Sequence, residues 1–410
     1  MSVRFSQEML VAGGGIGGLA AALACVRAGW RARVFEGAEA FAEAGAGLQL
    51  GPNATRLLQA WGLGDALEAV SAFPDRLEIR SAASGRVLGR LVLGAQARTR
   101  YGAPYATLHR ADLHALLLGA VRSQAEAVIH LGTRVTRVAP QSDTVCIGTE
   151  RTGPDGARAA SVQVEGDALV AADGLWSQVR SAVVPDDAAP RVTGHTAYRA
   201  LLRQADLPAN VRSSQVTVWL GPRMHLVQYP VRGGEWLNVV LLVQADTALP
   251  AVADPRDWSQ HAPPGGPAAA LAGACAPLRA LQEAVADWRL WMLCDRPPVA
   301  GPSAMAQGRV ALLGDAAHPM LPYLAQGAGM AIEDAAVLGD ALAMDAVEVP
   351  LRLRSYAQRR WQRVARVQAV AQRNAGVFHA SGPVRWGRDM AMAVLGERLL
   401  DQPWLYGAKV

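Results

Sequence analysis

The sequence is poor in charged residues, aromatic residues and cysteine. Charged residues make up 18% and aromatic residues 6% of its 410 positions, whereas 51% are hydrophobic. This balance excludes an intrinsically disordered chain and indicates a packed globular protein, long enough for two or three domains. Lysine is almost absent as well, because Lys409 is the sole lysine and arginine supplies the rest of the +5 net charge.

These scarcities also narrow the classes of partner. The arginines are scattered and form no basic run interleaved with aromatic residues, so no nucleic-acid partner is predicted, and small anionic molecules suit the charge better. The four cysteines lie far apart and form no CxxC pair. We therefore expect reduced thiols and no metal site.

No signal for export or membrane insertion is present near the first residue. The apolar stretch at residues 9–30 is interrupted by clustered glycines and by Arg27, unlike a membrane-spanning helix. Neither a basic segment nor an A-x-A cleavage pattern accompanies it. We expect a cytoplasmic protein without stable membrane insertion.

One stretch combines the parts of a dinucleotide-binding βαβ unit. A short apolar run leads into a glycine cluster, an alanine-rich helical pattern follows, and a second apolar run ends in Glu36. In this unit the first glycine permits a tight turn, the second admits the pyrophosphate and the third packs helix on strand; here they are Gly13, Gly15 and Gly18. The helix N-terminus attracts phosphate, and Glu36 can accept hydrogen bonds from a ribose.

Two later strand ends carry an aspartate. The apolar strands that precede Asp173 and Asp315 end where α/β sheets place ligand contacts, although a ligand-free turn is the alternative for both. A helix is predicted after Asp173. Gly327 and Gly329 begin another helix, where their missing side chains would let a ligand approach the backbone.

The middle of the chain has a different pattern of hydrophobic and polar residues. Residues 190–298 are dominated by strand patterns, and the best-defined unit is a hairpin at Met224–Val243 that turns at residues 232–235. Strand alternation places His225 and Tyr229 on one face, which either lines a site or faces solvent.

Four further elements follow from periodicity and turn residues. We predict a helix at residues 52–67, a strand turn at residues 153–156 and an alanine-rich helix from Ala268. A long helix at residues 351–378 carries seven arginines. These arginines predict a solvated helix face or a subunit contact, and the second option would give a homodimer.

Three motifs in order resemble the single-component FAD-dependent aromatic hydroxylases, which include salicylate, hydroxybenzoate and hydroxynicotinate hydroxylases. They are GGGIGG at 13–18, AADG at 171–174 and GDAAHP at 314–319. The resemblance covers residues 8–380, and the further matches are AGAGLQLGPNA, RADL, TAYRAL, HLVQYPVRGG and AQGAGMAIEDA.

The resemblance implies roles for individual residues. The implied FAD contacts are Gly13, Gly15, Gly18, Glu36, Arg110, Asp173 and Asp315. The residues implied to line or border the substrate pocket are Gln49, His225, Tyr229, Pro322 and Tyr323. Hydroxybenzoate 6-hydroxylases carry Gln where this chain has Pro322, and the hydroxynicotinate type carries His in place of Gln49 and Tyr323.

The fold that follows is α/β. We predict a Rossmann-like FAD-binding domain, an inserted and mainly antiparallel β-sheet substrate domain, and a long C-terminal helix. The expected boundaries are 1–75, 105–185 and 300–345 for the FAD-binding domain, 76–104 and 186–299 for the substrate domain, and 346–410 for the helical segment.

The implied reaction is hydroxylation of a small aromatic or heteroaromatic ring with NADH or NADPH and O₂ through a C4a-hydroperoxyflavin. The electrophilic oxygen needs an electron-rich ring, but a free phenol has a pKa of about 10. His225 is therefore the candidate base or relay for the ring hydroxyl, and Tyr229 could orient it. Arg199 could bind a ring carboxylate or form a structural ion pair.

Two other functions fit the same motifs. An FAD-dependent reductase or dehydrogenase would oxidise NAD(P)H without inserting oxygen into a product. A flavin-binding regulator would use its basic C-terminal helix as a partner surface. Three cofactor motifs together with a hairpin that carries His225 and Tyr229 favour catalysis.

Overall fold

The computed structural model describes residues 7–41, 46–151, 161–244, 254–257, 259–263 and 265–409. The turn predicted at residues 153–156 lies outside these ranges. The described residues form nineteen strands: β1 (Glu8–Ala12), β2 (Arg31–Phe35), β3 (Gly47–Leu50), β4 (Ser71–Ala72), β5 (Arg76–Ser81), β6 (Val87–Val92), β7 (Ala106–His109), β8 (Ala127–His130), β9 (Thr133–Pro140), β10 (Val145–Arg151), β11 (Val162–Gly166), β12 (Ala168–Ala171), β13 (Arg191–Arg203), β14 (Val216–Gly221), β15 (Met224–Val231), β16 (Trp236–Gln244), β17 (Arg289–Asp295), β18 (Ala306–Gln307) and β19 (Val310–Leu312).

The helices of the described residues are α1 (Ile16–Arg27), α2 (Pro52–Ala60), α3 (Gly64–Val70), α4 (Gly94–Tyr101), α5 (Arg110–Arg122), α6 (Gly266–Ala270), α7 (Ala276–Glu283), α8 (Gly327–Leu342), α9 (Val349–Phe378), α10 (Gly382–Leu395), α11 (Glu397–Leu400) and α12 (Pro403–Tyr406). Within this part of the chain, no helix combines the length and the apolar character needed to cross a bilayer.

A six-stranded sheet carries the predicted βαβ unit. Its order is β18-β19-β12-β1-β2-β8, with parallel pairing from β19 to β8 and an antiparallel edge strand β18. β1 and β12 are almost wholly buried, as parallel strands covered by helices must be. The carboxyl ends of β1, β2, β12 and β19 therefore meet at one edge of the sheet.

Small residues let the two main helices of this layer approach closely. α1 is buried along most of its length because it lies between the sheet and α8. A Cβ atom added to Gly339 of α8 would lie 3.2 Å from both the Cβ and the carbonyl oxygen of Ala24 of α1. The alanine-rich pattern of α1 thus indicates a tightly buried helix.

A seven-stranded sheet forms the second layer. Its order is β17-β13-β16-β15-β14-β5-β6, and all neighbours are antiparallel except β14 and β5. The predicted hairpin is confirmed as β15 and β16. The predicted α/β class with an antiparallel sheet is confirmed, whereas the proposed domain boundaries stay predictions.

Several predicted helices differ from the observed elements. The helix predicted at residues 52–67 is divided into α2 and α3, because Gly62 adopts a φ of +81° that ends the first helix. After Asp173 only a 3₁₀ turn forms, at Val179–Ala182. The alanine-rich segment from Ala268 lies in two short helices, α6 and α7.

The arginines of α9 are not all solvated, so that expectation is wrong for the inner face of the helix. Arg352 is 3% exposed and Arg360 is wholly buried. Arg360 pairs with carboxylates of α8, which offset the cost of burying a guanidinium. The sequence predicted a solvated face because the carboxylates that pair with Arg360 lie on α8, outside the helix whose pattern was analysed.

Candidate active site

A cleft opens at the edge of the six-stranded sheet where β1, β2 and β12 end. It has a volume of about 300 Å³, and its lining includes Gly13, Gly15, Glu36, Arg110 and Asp173. Sequence reasoning selected all five of these residues from separate parts of the chain. Parallel strand ends bring four of them together, as the doubly wound topology requires, whereas Arg110 begins α5 directly after β7 of a separate three-stranded antiparallel sheet.

Two glycines of the first motif are required by the backbone itself. Gly13 has a φ of +98°, and a Cβ there would lie 2.5 Å from the carbonyl oxygen of Ala172. A Cβ on Gly18 would lie 1.9 Å from the carbonyl oxygen of Gly13. Gly15 differs, since nothing lies within 4 Å of its Cβ position. The N-terminus of α1 is therefore open to the cleft.

Two carboxylates border this open helix end. Glu36 accepts hydrogen bonds from the backbone N–H of Gly14 at 2.7 Å and of Ala38 at 2.9 Å. Asp173 Oδ2 accepts one from Gln178 N at 2.9 Å, whereas its buried Oδ1 has no partner among the described residues. Burial raises the pKa of Asp173, although its hydrogen bonds oppose this.

Asp315 connects the cleft to the start of α8. Burial raises the pKa of Asp315, while His318 and Arg110 act in the opposite direction because their charges face it. A Cβ added to Gly327 would lie 3.9 Å from Asp315 Oδ1. Arg110, Asp315 and the first turn of α8 therefore lie together, next to the nucleotide cleft.

A buried charge network holds α8 and the Asp315 loop in place. Arg360 donates to Glu333 at 2.7 Å and to Asp334 at 2.6 Å. Asp334 also accepts from the backbone N–H of Gly314 at 3.0 Å and contacts His318 Nε2 at 2.5 Å. Burial disfavours the charged form of Asp334, but His318 and Arg360 outweigh it and lower its pKa to about 2. One carboxylate thus ties α8, α9 and the loop together.

One face of the seven-stranded sheet carries the predicted substrate residues. His225 and Tyr229 share a face of β15 and are 2% and 4% exposed, which excludes the solvent-facing alternative. Arg199 lies opposite Val240, which lies opposite Val227, and directly paired residues point to the same side. Arg199 therefore lies on this face, level with the position between His225 and Tyr229.

A tyrosine cluster surrounds Gln49. The Tyr105 hydroxyl donates to Gln49 Oε1 at 2.6 Å, and Gln49 also hydrogen-bonds Tyr229. Burial raises the pKa of Tyr229 far above its ordinary value, since Arg199 and Gln49 offset only part of that effect. Tyr229 is therefore a neutral hydrogen-bonding group.

Arg199 is a half-buried cation without an ion-pair partner among the described residues. Its guanidinium carbon lies 3.0 Å from the centre of the Trp291 ring, and its Nε atom is buried and unpartnered. Burial lowers its pKa to about 9, although Tyr229 opposes the shift. The structural ion pair left open by the sequence is not what this side chain forms.

His225 lies in a cluster of three imidazoles. Its Nδ1 atom is 2.9 Å from Nε2 of His379, and the ring of His379 stacks on His195 at 5.1 Å. The Tyr323 hydroxyl hydrogen-bonds His195 Nδ1, and Phe378 packs edge-on against His225. Within the described ranges, no group of three or more His, Cys, Asp or Glu side chains is arranged for a metal ion.

All three imidazoles are kept neutral by their surroundings. Burial lowers the pKa of His225 well below its ordinary value, and His379 and His195 add to the effect. Burial, followed by His195, Arg388 and Arg223, lowers the pKa of His379 to about 3. Burial also lowers the pKa of His195.

A family model described as FAD binding domain matches residues 6–371. The chain belongs to this FAD-binding family. A 3-hydroxybenzoate 6-hydroxylase of Polaromonas naphthalenivorans is 37% identical over 405 residues, covering 98% of this chain and 96% of the relative. A 6-hydroxynicotinate 3-monooxygenase of Bordetella bronchiseptica is 34% identical over 371 residues, covering 90% and 91%. A salicylate hydroxylase substrate complex has a TM-score of 0.80 at 25% identity, covering 98% and 96%.

Family membership confirms an FAD-dependent monooxygenase and sets aside the reductase and regulator alternatives. The residues present also fit FAD. The open N-terminus of α1 and Arg110 suit a pyrophosphate, and Glu36 suits ribose hydroxyls. The unpartnered Oδ1 atom of Asp173 can accept a hydrogen bond from the ligand. Asp315 and the start of α8, which are also predicted to contact FAD, lie beside this cleft.

Sequence reasoning missed residues in both parts of this FAD-binding protein. Arg134 and Trp176 line the cleft, and His114 lies next to it, with its Nε2 atom 2.8 Å from the Gly14 carbonyl oxygen. On the sheet side the missed residues are Tyr105, His195 and His379. His114 follows Arg110 by one helical turn, a spacing that could have revealed it, whereas no local motif marks His379. Pro322 is exposed, and the adjacent Tyr323 is the buried side chain.

Proposed function

We propose that this monooxygenase hydroxylates a small aromatic ring that carries both a hydroxyl and a carboxylate, with NADH or NADPH and O₂. The observation that carries the proposal is the shared face of Arg199, His225 and Tyr229 on the seven-stranded sheet. An unpaired guanidinium, a neutral imidazole and a neutral phenol match one carboxylate and one hydroxyl on a ring. Two relatives are named for hydroxylated aromatic acids, which supports this class.

The FAD would be held by the residues that line the sheet edge. The backbone at Gly15, at the open N-terminus of α1, would receive the pyrophosphate, and Glu36 the ribose, while Gly13 and Gly18 would shape the turn and the helix packing beneath the cofactor. Arg110, Asp173, Asp315, Gly327 and Gly329 would complete the contacts. When bound, FAD supplies the transfer of electrons from the nicotinamide to O₂ and of oxygen to the ring.

The protein residues would prepare the ring. Arg199 would bind the carboxylate, because a half-buried guanidinium without a partner gains most from an anion. Tyr229 would orient the hydroxyl with Gln49 behind it, and Pro322 and Tyr323 would border the pocket. His225 would act on the hydroxyl as an acid–base group, since its neutral ring can either accept the proton or hydrogen-bond the ionised oxygen. Burial of His225 and Tyr229 would keep water away from the reacting atoms.

The test is a turnover screen of the FAD-loaded enzyme with NADH and with NADPH. The panel contains 3-hydroxybenzoate, salicylate, 6-hydroxynicotinate and the uncharged analogue 3-hydroxybenzamide. We expect a hydroxylated acid to stimulate NAD(P)H oxidation and to give an oxygenated product by mass spectrometry. This product is one oxygen atom heavier than the substrate when a ring hydrogen is replaced, and it has lost CO₂ when the hydroxylated carbon carried the carboxylate. Oxidation without an oxygenated product would contradict hydroxylation of these rings.

The substitution Arg199→Leu tests the carboxylate contact. It should raise KM for the acid about 100-fold, the order of two lost charge-assisted hydrogen bonds, and should leave KM for 3-hydroxybenzamide nearly unchanged. Arg203→Leu is the matched control, because Arg203 is exposed at the end of the same strand. Equal losses for the acid and the amide would argue against carboxylate binding by Arg199.

A homodimer and a cytoplasmic location stay predictions that gel filtration and cell fractionation would check.

A further inference from the structure

The hydrogen bond between His225 and His379 limits how each ring can be protonated. The atoms involved are Nδ1 of His225 and Nε2 of His379, 2.9 Å apart. Both rings are neutral, so each holds a single proton, on either nitrogen. Exactly one of the two facing nitrogens must therefore carry a proton for the bond to form.

The surroundings of His379 decide between the two arrangements. Its other nitrogen, Nδ1, is buried and has no partner among the described residues. A buried N–H without an acceptor is rarer in proteins than a buried lone pair without a donor. The nearby guanidinium groups of Arg388 and Arg223 disfavour a second proton on the ring and so help to keep His379 neutral. The unpartnered Nδ1 then places the single proton of His379 on Nε2.

The consequence for His225 follows from proton counting. His379 Nε2–H donates to Nδ1 of His225, so the single proton of neutral His225 lies on Nε2. No other described residue hydrogen-bonds this Nε2 atom, which makes it the ring nitrogen available to a ligand. The ring then offers a donor rather than a lone pair.

We propose that His379 is a positioning residue that fixes the tautomer of His225, so that His225 donates a hydrogen bond from Nε2 to an ionised ring oxygen of the substrate. This inference rests on the proposed function only for the identity of the ligand. In this arrangement His225 does not remove the proton. The hydroxyl loses it to solvent, and the enzyme selects the phenolate. A charge-assisted N–H···O⁻ bond supplies that selection.

The remaining groups around the pair do not supply a competing proton. His195 stacks on His379 and hydrogen-bonds the Tyr323 hydroxyl, and Tyr323 lies against the His225 ring at 5.1 Å. Burial raises the pKa of Tyr323 and lowers that of His195, so both stay neutral near neutral pH. The guanidinium of Arg388 is held by the carbonyl oxygens of Val377 and Phe378 and by Asp389.

The direct test is nitrogen-15 NMR of the FAD-loaded enzyme labelled at histidine, which reports which ring nitrogen of each histidine carries hydrogen. Signals of His225 are identified by their loss in His225→Asn. We expect protonated Nε2 and unprotonated Nδ1 for His225. A proton on Nδ1 of His225 would overturn the proposal, whatever the enzyme hydroxylates.

Three variants separate positioning from general damage. His379→Leu removes the donor and should allow His225 a mixture of tautomers, with a loss in kcat of about 10- to 100-fold, the order of one charge-assisted hydrogen bond. His379→Gln keeps a side-chain N–H and should restore the single tautomer and most of kcat. His261→Leu is the control, since the His261 side chain is exposed and contacts Asp287, away from the imidazole cluster.

The pH dependence of substrate affinity separates the proposed role of His379 in fixing the tautomer from the proposed role of His225 in hydroxylation. Affinity for 3-hydroxybenzoate, measured by the flavin absorbance change, should rise with pH toward the phenol pKa in the wild type, and this rise should be weaker in His379→Leu. An unchanged tautomer in His379→Leu would show that His379 does not fix it. A changed tautomer with unchanged turnover would leave the positioning intact and would instead contradict the role of His225 in hydroxylation.

Discussion

Replacement of Arg360 by leucine should destabilise the protein strongly although the residue touches no ligand. The side chain is wholly buried and donates to Glu333 and to Asp334 at 2.7 and 2.6 Å. Leucine fills much of the volume but leaves two buried carboxylates short of a cation. Loss of one member of a buried ion pair costs about 3–5 kcal/mol.

The pKa of Asp334 gives an independent magnitude. It is lowered from 3.8 to about 2 in spite of burial, and His318 and Arg360 cause the shift. At about 1.4 kcal/mol per pKa unit, a shift of this size corresponds to roughly 2–3 kcal/mol, and Arg360 contributes part of it. Adding the contact to Glu333, we expect a loss near 3 kcal/mol in the free energy of unfolding.

The assay is urea unfolding followed by tryptophan fluorescence at a fixed FAD concentration, because bound FAD adds stability by mass action. Arg359→Leu is the matched control on the same helix. Arg359 lies 3.0 Å from Asp340, and their side chains are 41% and 60% exposed, so its loss should cost less than about 1 kcal/mol. Equal urea midpoints for the two variants would refute the reasoning.

The same network sets a pH signature. Asp334 has a depressed pKa in the folded state, so its contribution is present above pH 4 and is lost as pH falls from about 4 toward 2. Arg360→Leu acts partly through this carboxylate. The stability gap between wild type and variant should therefore narrow below pH 4, and a gap that widens there would contradict the assignment.

Two further predictions concern the first helix. Gly18→Ala should lower both the melting temperature and the FAD content, because its Cβ would lie 1.9 Å from the Gly13 carbonyl oxygen. Gly15→Ala should leave the melting temperature of the apoprotein unchanged and weaken FAD binding about tenfold. Equal melting temperatures for the two variants would contradict this. Cys25 is buried and its pKa is raised to about 12, so a thiol reagent at pH 8 should modify it only after unfolding, as peptide mass mapping would show.

The cofactor side was largely predictable because its signals are local. Gly13, Gly18 and Glu36 lie within one βαβ unit, where the chain's own turn and packing demand them. Asp173 and Asp315 follow apolar strands, and parallel pairing places all such strand ends at one edge. Short-range pattern and a general rule of sheet topology were sufficient.

The substrate side was only partly predictable. Alternation along β15 placed His225 and Tyr229 on one face, but it did not show that the face is buried or that Arg199, from another strand, shares it. The arginines of α9 were misjudged for the same reason, since the carboxylates that pair with Arg360 come from α8. Periodicity describes a single element and contains no information about its partner.

The sequence by itself indicated the reaction class through three motifs in order. It also indicated the α/β fold and the edge of the sheet that carries the cleft, because Gly13, Gly18 and Glu36 are required by the turn and the packing of the βαβ unit in which they lie. Only the tertiary structure decided the chemistry of His225. Its hydrogen-bond partner His379 is 154 residues away, and its neutral state follows from burial among His195, Tyr323 and Phe378. Desolvation and proton sharing depend on which atoms meet in space, and no spacing along the chain encodes that.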